Sequence, residues 1–251
     1  MNYIELLQAE LRPAFGCTEP IALAYAAAKS VAVLGECPTS MTARCSANII
    51  KNVKNVTIPN SGGRKGLACA AISGVIPCLE QQITYNTAIS AEGMANNYGS
   101  NIGQLLLLDE SNPSVELLCK ARAAAGSDAR MSGCLLPVVI CSGSGNQGLT
   151  VSMPIITAAE QLGKSQEELY RALAFGNLLT LYIKSGIGKL SAYCGVVSAG
   201  VAGVAAVAFL KGDSQQIIED TVSNGLANTS GIVCDGMKQT DVVILNEMLK
   251  H

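Results

Sequence analysis

Leu190-Ser-Ala-Tyr-Cys194-Gly-Val-Val-Ser-Ala-Gly200-Val-Ala-Gly-Val-Ala-Ala-Val-Ala-Phe-Leu210-Lys211 is the stretch on which the fold turns. No charge occurs from Leu190 to Leu210. Gly195, Ala199 and Gly203 recur at every fourth residue. On a helix this spacing stacks small residues on one face and lets a neighbouring backbone approach closely. A helix that is apolar all round is enclosed on every side. Near its start Cys194 brings a soft ligand into a dry interior. Two enclosures fit, lipid or protein. The length just reaches the roughly 20 residues that span a bilayer. Against lipid, the chain has no Trp, and the flanks lack an aromatic belt or a one-sided basic bias. The other long apolar region, 135–159, is interrupted by Pro137, Pro154 and a glycine loop. The expectation is a core helix of a soluble protein.

The composition points the same way. With 251 residues the chain is long enough for one large or two modest domains with a real core. Apolar residues make up 49% but aromatic ones only 4%, so Ala, Val, Leu and Ile must fill the interior at close backbone contact. Charged residues are 14%, well below the usual ~25%. So little solvated surface suggests a homo-oligomer, a dimer in the simplest case. A net charge of −2 gives no basic footprint for nucleic acid. Residues 1–11 are polar and amphipathic rather than a secretory leader, which suggests a cytoplasmic protein with reduced thiols and no membrane partner. Ten cysteines without a CxxC or CxxxC pair disfavour a zinc ribbon or a ferredoxin-type site. The sole histidine is His251, so no Ser-His-Asp triad, Cys-His dyad or His-ligated metal can be built from the body of the chain.

Local signals divide the chain into segments. Residues 2–11 read as a short amphipathic helix. Thr18 can cap a helix to Leu34, with Glu19 and Pro20 in its first turn. Cys17 then precedes a helix N-terminus, a position that favours thiolate. Residues 39–47 and 53–58 read as strands; between them Asn48, Lys51 and Asn52 share one helical face. The basic glycine loop 60–66 opens a helix over 67–75. Residues 83–108 read as helical with breaks at Gly93, Gly99 and Gly103. Another helix runs from Pro113 to Ala125 and ends at Gly126. Ser142-Gly-Ser-Gly-Asn-Gln-Gly148 is the strongest local signal: backbone N–H groups, hydroxyls and amides exposed together suit a carboxylate or phosphate. Pro154 starts a helix to Leu162. Ser165 with Glu168 forms a capping box for a helix ending near Ile183. Asp213 or Ser214 caps a helix to about Asn224, and 239–250 is a last short helix.

Four pieces in order, Gly16-Cys-Thr-Glu-Pro20, Ser127-Asp-Ala-Arg-Met131, Ser142 to Gly148 and Gly231-Ile-Val-Cys-Asp-Gly236, resemble the L-cysteine desulfidase family, relatives of the alpha part of iron–sulfur L-serine dehydratases. The resemblance implies a mainly α fold with a small α/β portion, built like the serine dehydratase alpha chain around the Gly/Ala-rich helix. It implies an N-terminal segment, 1–78, contributing Cys17, and a helical catalytic domain, 79–251, containing the central helix 190–211. It implies a [4Fe-4S] cluster held by Cys17, Cys194 and Cys234, with one iron open and no PLP. Spacing alone does not select these three cysteines from ten.

The implied reaction takes L-cysteine as the small amino-acid substrate. The α-proton is removed, sulfur leaves onto iron, and aminoacrylate hydrolyses to pyruvate and ammonia. By the same resemblance Ser142, Gly143, Ser144, Gly145, Asn146 and Gln147 bind the carboxylate. Asn48 and Asn52 line the site, and Lys51 is the candidate proton base. Family members are longer, and the abrupt junctions near 77–80 and 238–239 suggest segments that this chain lacks. The cluster cysteines are spaced differently from those of the serine dehydratases proper, which favours cysteine over serine. Two other readings stay open: L-serine dehydration, and a cluster-free protein that binds an amino acid or only assembles.

Overall fold

A computed structural model describes residues 18–36, 38, 40–53, 64–73, 76–188 and 193–232. Cys17, Cys234 and the expected helices at 2–11 and 239–250 lie outside the described residues. The chain divides into two compact units, Met1–Pro77 and Cys78–His251. Among the described residues the structure is helical, and its isolated bridge between Cys141 and Ser144 belongs to a tight turn.

In the first unit α1 (Thr18–Leu34) packs on α2 (Ala47–Val53) and α3 (Leu67–Ser73). Val53 and Ala70 form the core, with Leu23, Ile49, Leu67 and Cys69 around them. The strand expected at 39–47 is not formed: residues 40–46 have no regular structure and Ala47 opens a helix. The reason is local. Ser46 Oγ accepts from Ile49 N–H at 3.4 Å, and Ile49 and Val53 fall four apart on one apolar helical face. Alternation over 39–47 had no partner strand to pair with among the described residues. The second expected strand begins at Val53, which instead ends α2; 54–58 lie outside the described residues.

The second unit holds all but the first two residues of α4 (Ile76–Ala95), then α5 (Ile102–Leu107), α6 (Val115–Met131), α7 (Gly145–Gln161), α8 (Gln166–Ser185), α9 (Gly195–Lys211) and α10 (Gln215–Thr229). Helix α9 is the Gly/Ala-rich segment, and it packs on α7, α8 and α10. Twelve of its residues are buried, including Gly195, Ala199 and Gly203. The small-residue stripe faces α7: a Cβ added at Gly203 would lie 3.2 Å from the Thr150 carbonyl oxygen and 3.3 Å from that of Val151. Pro154 explains why that carbonyl is approachable. It stands inside α7, not at its start, and offers no N–H to Thr150 four residues back. No described helix is long and apolar enough to cross a membrane.

Two glycine breaks read from the sequence are contacts instead. Gly93 lies within α4 and Gly103 within α5. A Cβ on Gly93 would overlap the Ala125 carbonyl, 2.6 Å from its carbon, and one on Gly103 would lie 2.5 Å from the Ala121 carbonyl oxygen. Gly126 likewise continues α6, with Leu149 Cδ2 3.0 Å from where its Cβ would be. Only Gly99, with φ +55°, interrupts the helical run as expected. Polar groups pin the helices as well. Gln82 and Asn177, both buried, exchange amide hydrogen bonds of 3.2 and 2.8 Å between α4 and α8. Ser165 and Glu168 form the expected capping box of α8.

Candidate functional site

The segment 142–148 is not a linker. Cys141 N–H donates to Ser144 O at 3.1 Å, and Ser144 N–H donates back to Cys141 O at 3.2 Å. The two residues between them, Ser142 (φ +51°) and Gly143 (φ +78°), are both left-handed, which is the signature of a type I′ turn. Ser144 then caps α7, its side chain accepting from Gln147 N–H, so Gly145, Asn146 and Gln147 form the first turn of a 17-residue helix. The helix expected to begin at Pro154 therefore begins nine residues earlier. The tight turn and the buried first turn carry the glycines that a flexible linker would also show.

Neighbouring elements hold this turn rigidly. Asn86 on α4 accepts from Val139 N–H at 2.8 Å and donates to Val139 O at 3.4 Å and to Ser152 Oγ at 2.9 Å. One buried amide thus ties the incoming segment to α7. Gly148 lets that segment cross: a Cβ there would lie 3.0 Å from the Val139 carbonyl carbon. On the other side Arg130 donates from Nη1 to Asn146 Oδ1 at 2.9 Å, and its guanidinium covers Gly145, 2.8 Å from a Cβ built there to Cζ. Arg130 is placed by the end of α6. Its neighbour Asp128, buried, caps α5 by accepting from Ile102 N–H at 2.9 Å. Burial pushes the Asp128 carboxyl up, against the backbone hydrogen bonds from Ile102 and Ser100 that pull it down.

The start of α9 meets the start of α7. Cys194 is the N-cap of α9, 4% exposed, and its side chain makes no cap hydrogen bond to the helix. It packs with Val196 and Val201 against Ile183, Val222, Leu226 and Ile232. Cys194 N–H donates to Ile232 O at 3.1 Å, two residues before Cys234. Gly195 touches Gln147: a Cβ on Gly195 would lie 2.6 Å from Gln147 Cδ and 2.9 Å from its Oε1. Gln147 is 7% exposed, and both its Oε1 and the buried Thr150 Oγ1, one turn on, have no hydrogen-bond partner among the described residues. Two helix N-termini, each with the positive end of its dipole, converge on orphaned polar atoms. The helix ends favour an anionic group, and Gln147 Oε1 calls for a donor beside it.

Of the residues expected from the sequence, Gln147 meets Gly195, the residue after Cys194, while the Cys194 side chain packs on Ile183 and the α10 residues Val222 and Leu226. Cys17 and Cys234 lie outside the described residues, and among the described ones no group of three His, Cys, Asp or Glu could hold a metal ion. Asn48, Lys51 and Asn52 stand at i, i+3 and i+4 of α2 in the first unit, and their side chains are not described. The sequence reading missed Asn86, Arg130 and Gly195 as the groups that build the turn. Arg130 was visible within the Ser127–Met131 motif, and Gly195 within the stripe, but neither partner has a local signature.

Residues 67–240 match the family model described as serine dehydratase alpha chain. The chain is 36% identical to a UPF0597 protein of Lachnoclostridium phytofermentans, over 94% of this chain and 84% of the relative. It is 36% identical to a UPF0597 protein of Desulfitobacterium hafniense, over 94% and 81%, and 35% identical to one of Finegoldia magna, over 94% and 84%. The first of these alignments runs over 349 residues, more than the 251 of this chain, so it opens long gaps in it. No solved structure matches the chain.

Proposed function

This chain belongs to the serine dehydratase alpha chain family, and from that premise we propose that it is an iron–sulfur lyase that breaks L-cysteine down to hydrogen sulfide, pyruvate and ammonia. The observation that supports the reading is the contact of Gly195, next to Cys194, with Gln147 at two helix N-termini. Thiolates suit a [4Fe-4S] cluster, and three are proposed to hold it. Cys194 is a soft ligand, and it sits in an apolar cluster that limits water. Cys234, the second proposed ligand, follows two residues after Ile232, whose carbonyl accepts from Cys194 N–H. Cys17, next to α1, is the third ligand of the proposal. When bound, the cluster supplies Lewis-acid iron to the leaving sulfur.

The chain's own groups do the rest. The N–H groups at the start of α7, with Gln147, hold the substrate carboxylate, and Arg130 keeps Asn146 and Gly145 in place for it. Ser142 and Ser144 are fixed by the type I′ turn, so the carboxylate meets a preorganised surface. Lys51, with Asn48 and Asn52 on the same face of α2, takes the proton from Cα. The protein works as a dimer in the cytoplasm and needs no PLP.

Anaerobic purification with iron and sulfide analysis tests the proposal. About four iron atoms per chain, lost in Cys194→Ala, support it; an iron-free protein that releases no sulfide from L-cysteine sinks it. The family description favours a second reading, L-serine dehydration. Ammonia released from L-serine, with no sulfide from L-cysteine, would decide for that one.

A further inference from the structure

Helix α8 carries a buried stripe through Leu173, Asn177, Thr180 and Leu181, and the stripe ends in Lys184, 4% exposed. Among the described residues no carboxylate pairs with it. A buried ammonium is costly unless an anion faces it.

The register of the helices locates this cation. A Cβ added at Gly176 would meet Ile155 Cδ1 at 2.7 Å, Val151 Cγ2 at 3.1 Å and Ala206 Cβ at 3.2 Å, so mid-α8 is level with these parts of α7 and α9. The four-residue connection between α7 and α8 makes them antiparallel neighbours. Lys184, eight residues nearer the α8 C-terminus, is therefore level with the 142–147 turn and with the first turn of α9. A second contact agrees: Ile183 packs against the cluster of Cys194 and Val196. At this end of the bundle stand Lys184, two helix N-termini, and the unpartnered Gln147 Oε1 and Thr150 Oγ1. Lys184 and the two helix N-termini are positive, while the last turn of α8 and Gln147 Oε1 are the negative ends there.

We propose that Lys184 is the charge that binds the substrate's carboxylate, acting with the amides at the start of α7. This rests on the amino-acid reading of the site and adds the residue that makes the site select an acid over an amine. Lys184 is a binding residue here, and α-proton removal stays with another group.

The test is calorimetric titration of the full chain, purified anaerobically, with 3-mercaptopropionate and with cysteamine. Both carry a thiol; the first has a carboxylate and no amine, the second an amine and no carboxylate. The wild type is expected to bind 3-mercaptopropionate at least about tenfold more tightly, the effect of one charge-assisted hydrogen bond. Lys184→Met should abolish that preference while changing cysteamine binding by less than about twofold, and Lys184→Arg should retain it. A wild type without the preference, or a folded Lys184→Met that keeps it, overturns the proposal. Should Lys184→Met fail to fold by circular dichroism, the wild-type comparison and Lys184→Gln decide in the same terms. Iron analysis separates the two ideas. Iron present with no carboxylate preference sinks only the Lys184 assignment. Iron absent with a Lys184-dependent preference sinks the lyase and leaves the anion site standing.

Discussion

Gly195 and Gln147 touch across the starts of two helices, so closely that a methyl on Gly195 would sit 2.6 Å from Gln147 Cδ. The obstacle is the far end of a side chain, which can swing away. Gly195→Ala is therefore expected to fold with a melting temperature near that of the wild type, and to lose at least about tenfold in kcat/KM for L-cysteine as the Gln147 amide is displaced. Gly93→Ala is the contrasting case. Its methyl would overlap a backbone carbonyl, that of Ala125, which cannot move without shifting α6. Overpacking of this kind costs about 1–3 kcal/mol or more. Thermal melts and a sulfide assay on both variants check the pair: stability and activity should separate in the first and fall together in the second.

Gln82 and Asn177 satisfy each other in the interior, and Asn177 also donates to Leu173 O at 2.8 Å. Asn177→Leu strands the Gln82 amide and should destabilise by about 1–3 kcal/mol. Gln82→Met with Asn177→Leu removes both polar partners, and urea titration should find the double variant more stable than the sum of the single losses.

The α8 capping box titrates. Hydrogen bonds from the Ser165 side chain and backbone, with Lys164 nearby, hold the Glu168 carboxyl down at about 2. A depressed carboxyl stabilises the fold above its ordinary range and loses that contribution as pH falls toward 2. The melting-temperature gap between wild type and Glu168→Ala should be open at pH 7 and narrow steadily below pH 4.5. Ser165→Ala should cost about 1 kcal/mol at neutral pH. A gap unchanged down to pH 2.5 would remove the carboxylate from the cap.

Cys119 is buried in α6 and its thiol donates to Pro154 O at 3.3 Å. Burial pushes this thiol up to about 12, from an ordinary value of 9.0. The unfolded chain ionises there first, so this contribution to stability is whole below pH 9 and is lost as pH climbs toward 12. Cys119→Ala should flatten that alkaline decline, measured by urea midpoints from pH 8 to pH 11. In the native protein Cys119 should also resist thiol reagents at pH 8, because the thiolate is the reacting species.

The helical class and the enclosed central helix were legible because periodicity and charge depletion act over many residues. The small-residue stripe was legible too, since Gly195, Ala199 and Gly203 have a geometric meaning wherever a helix forms. What local reading could not separate was a glycine that stops a helix from one that admits a neighbour. Gly93 and Gly103 look like breaks until the Ala125 and Ala121 carbonyls are seen against them. Pro154 misled in the same way. It resembles a helix start, yet it stands mid-helix, with Gly203 of α9 close against the Thr150 carbonyl left behind. At the site, the 142–147 turn carried its own signal, whereas Lys184 did not: one lysine in a helix reads as solvated until the packing buries it.

The hairpin Leu162–Ser165 joins α7 to α8 at the end of α7 opposite Gly145, one helix length or about 25 Å away. Gly163 there is left-handed and a Cβ built on it meets nothing within 4 Å. That corner is thus a natural attachment point: a fluorophore, an affinity handle or a surface tether grafted there leaves the opposite end of the bundle untouched.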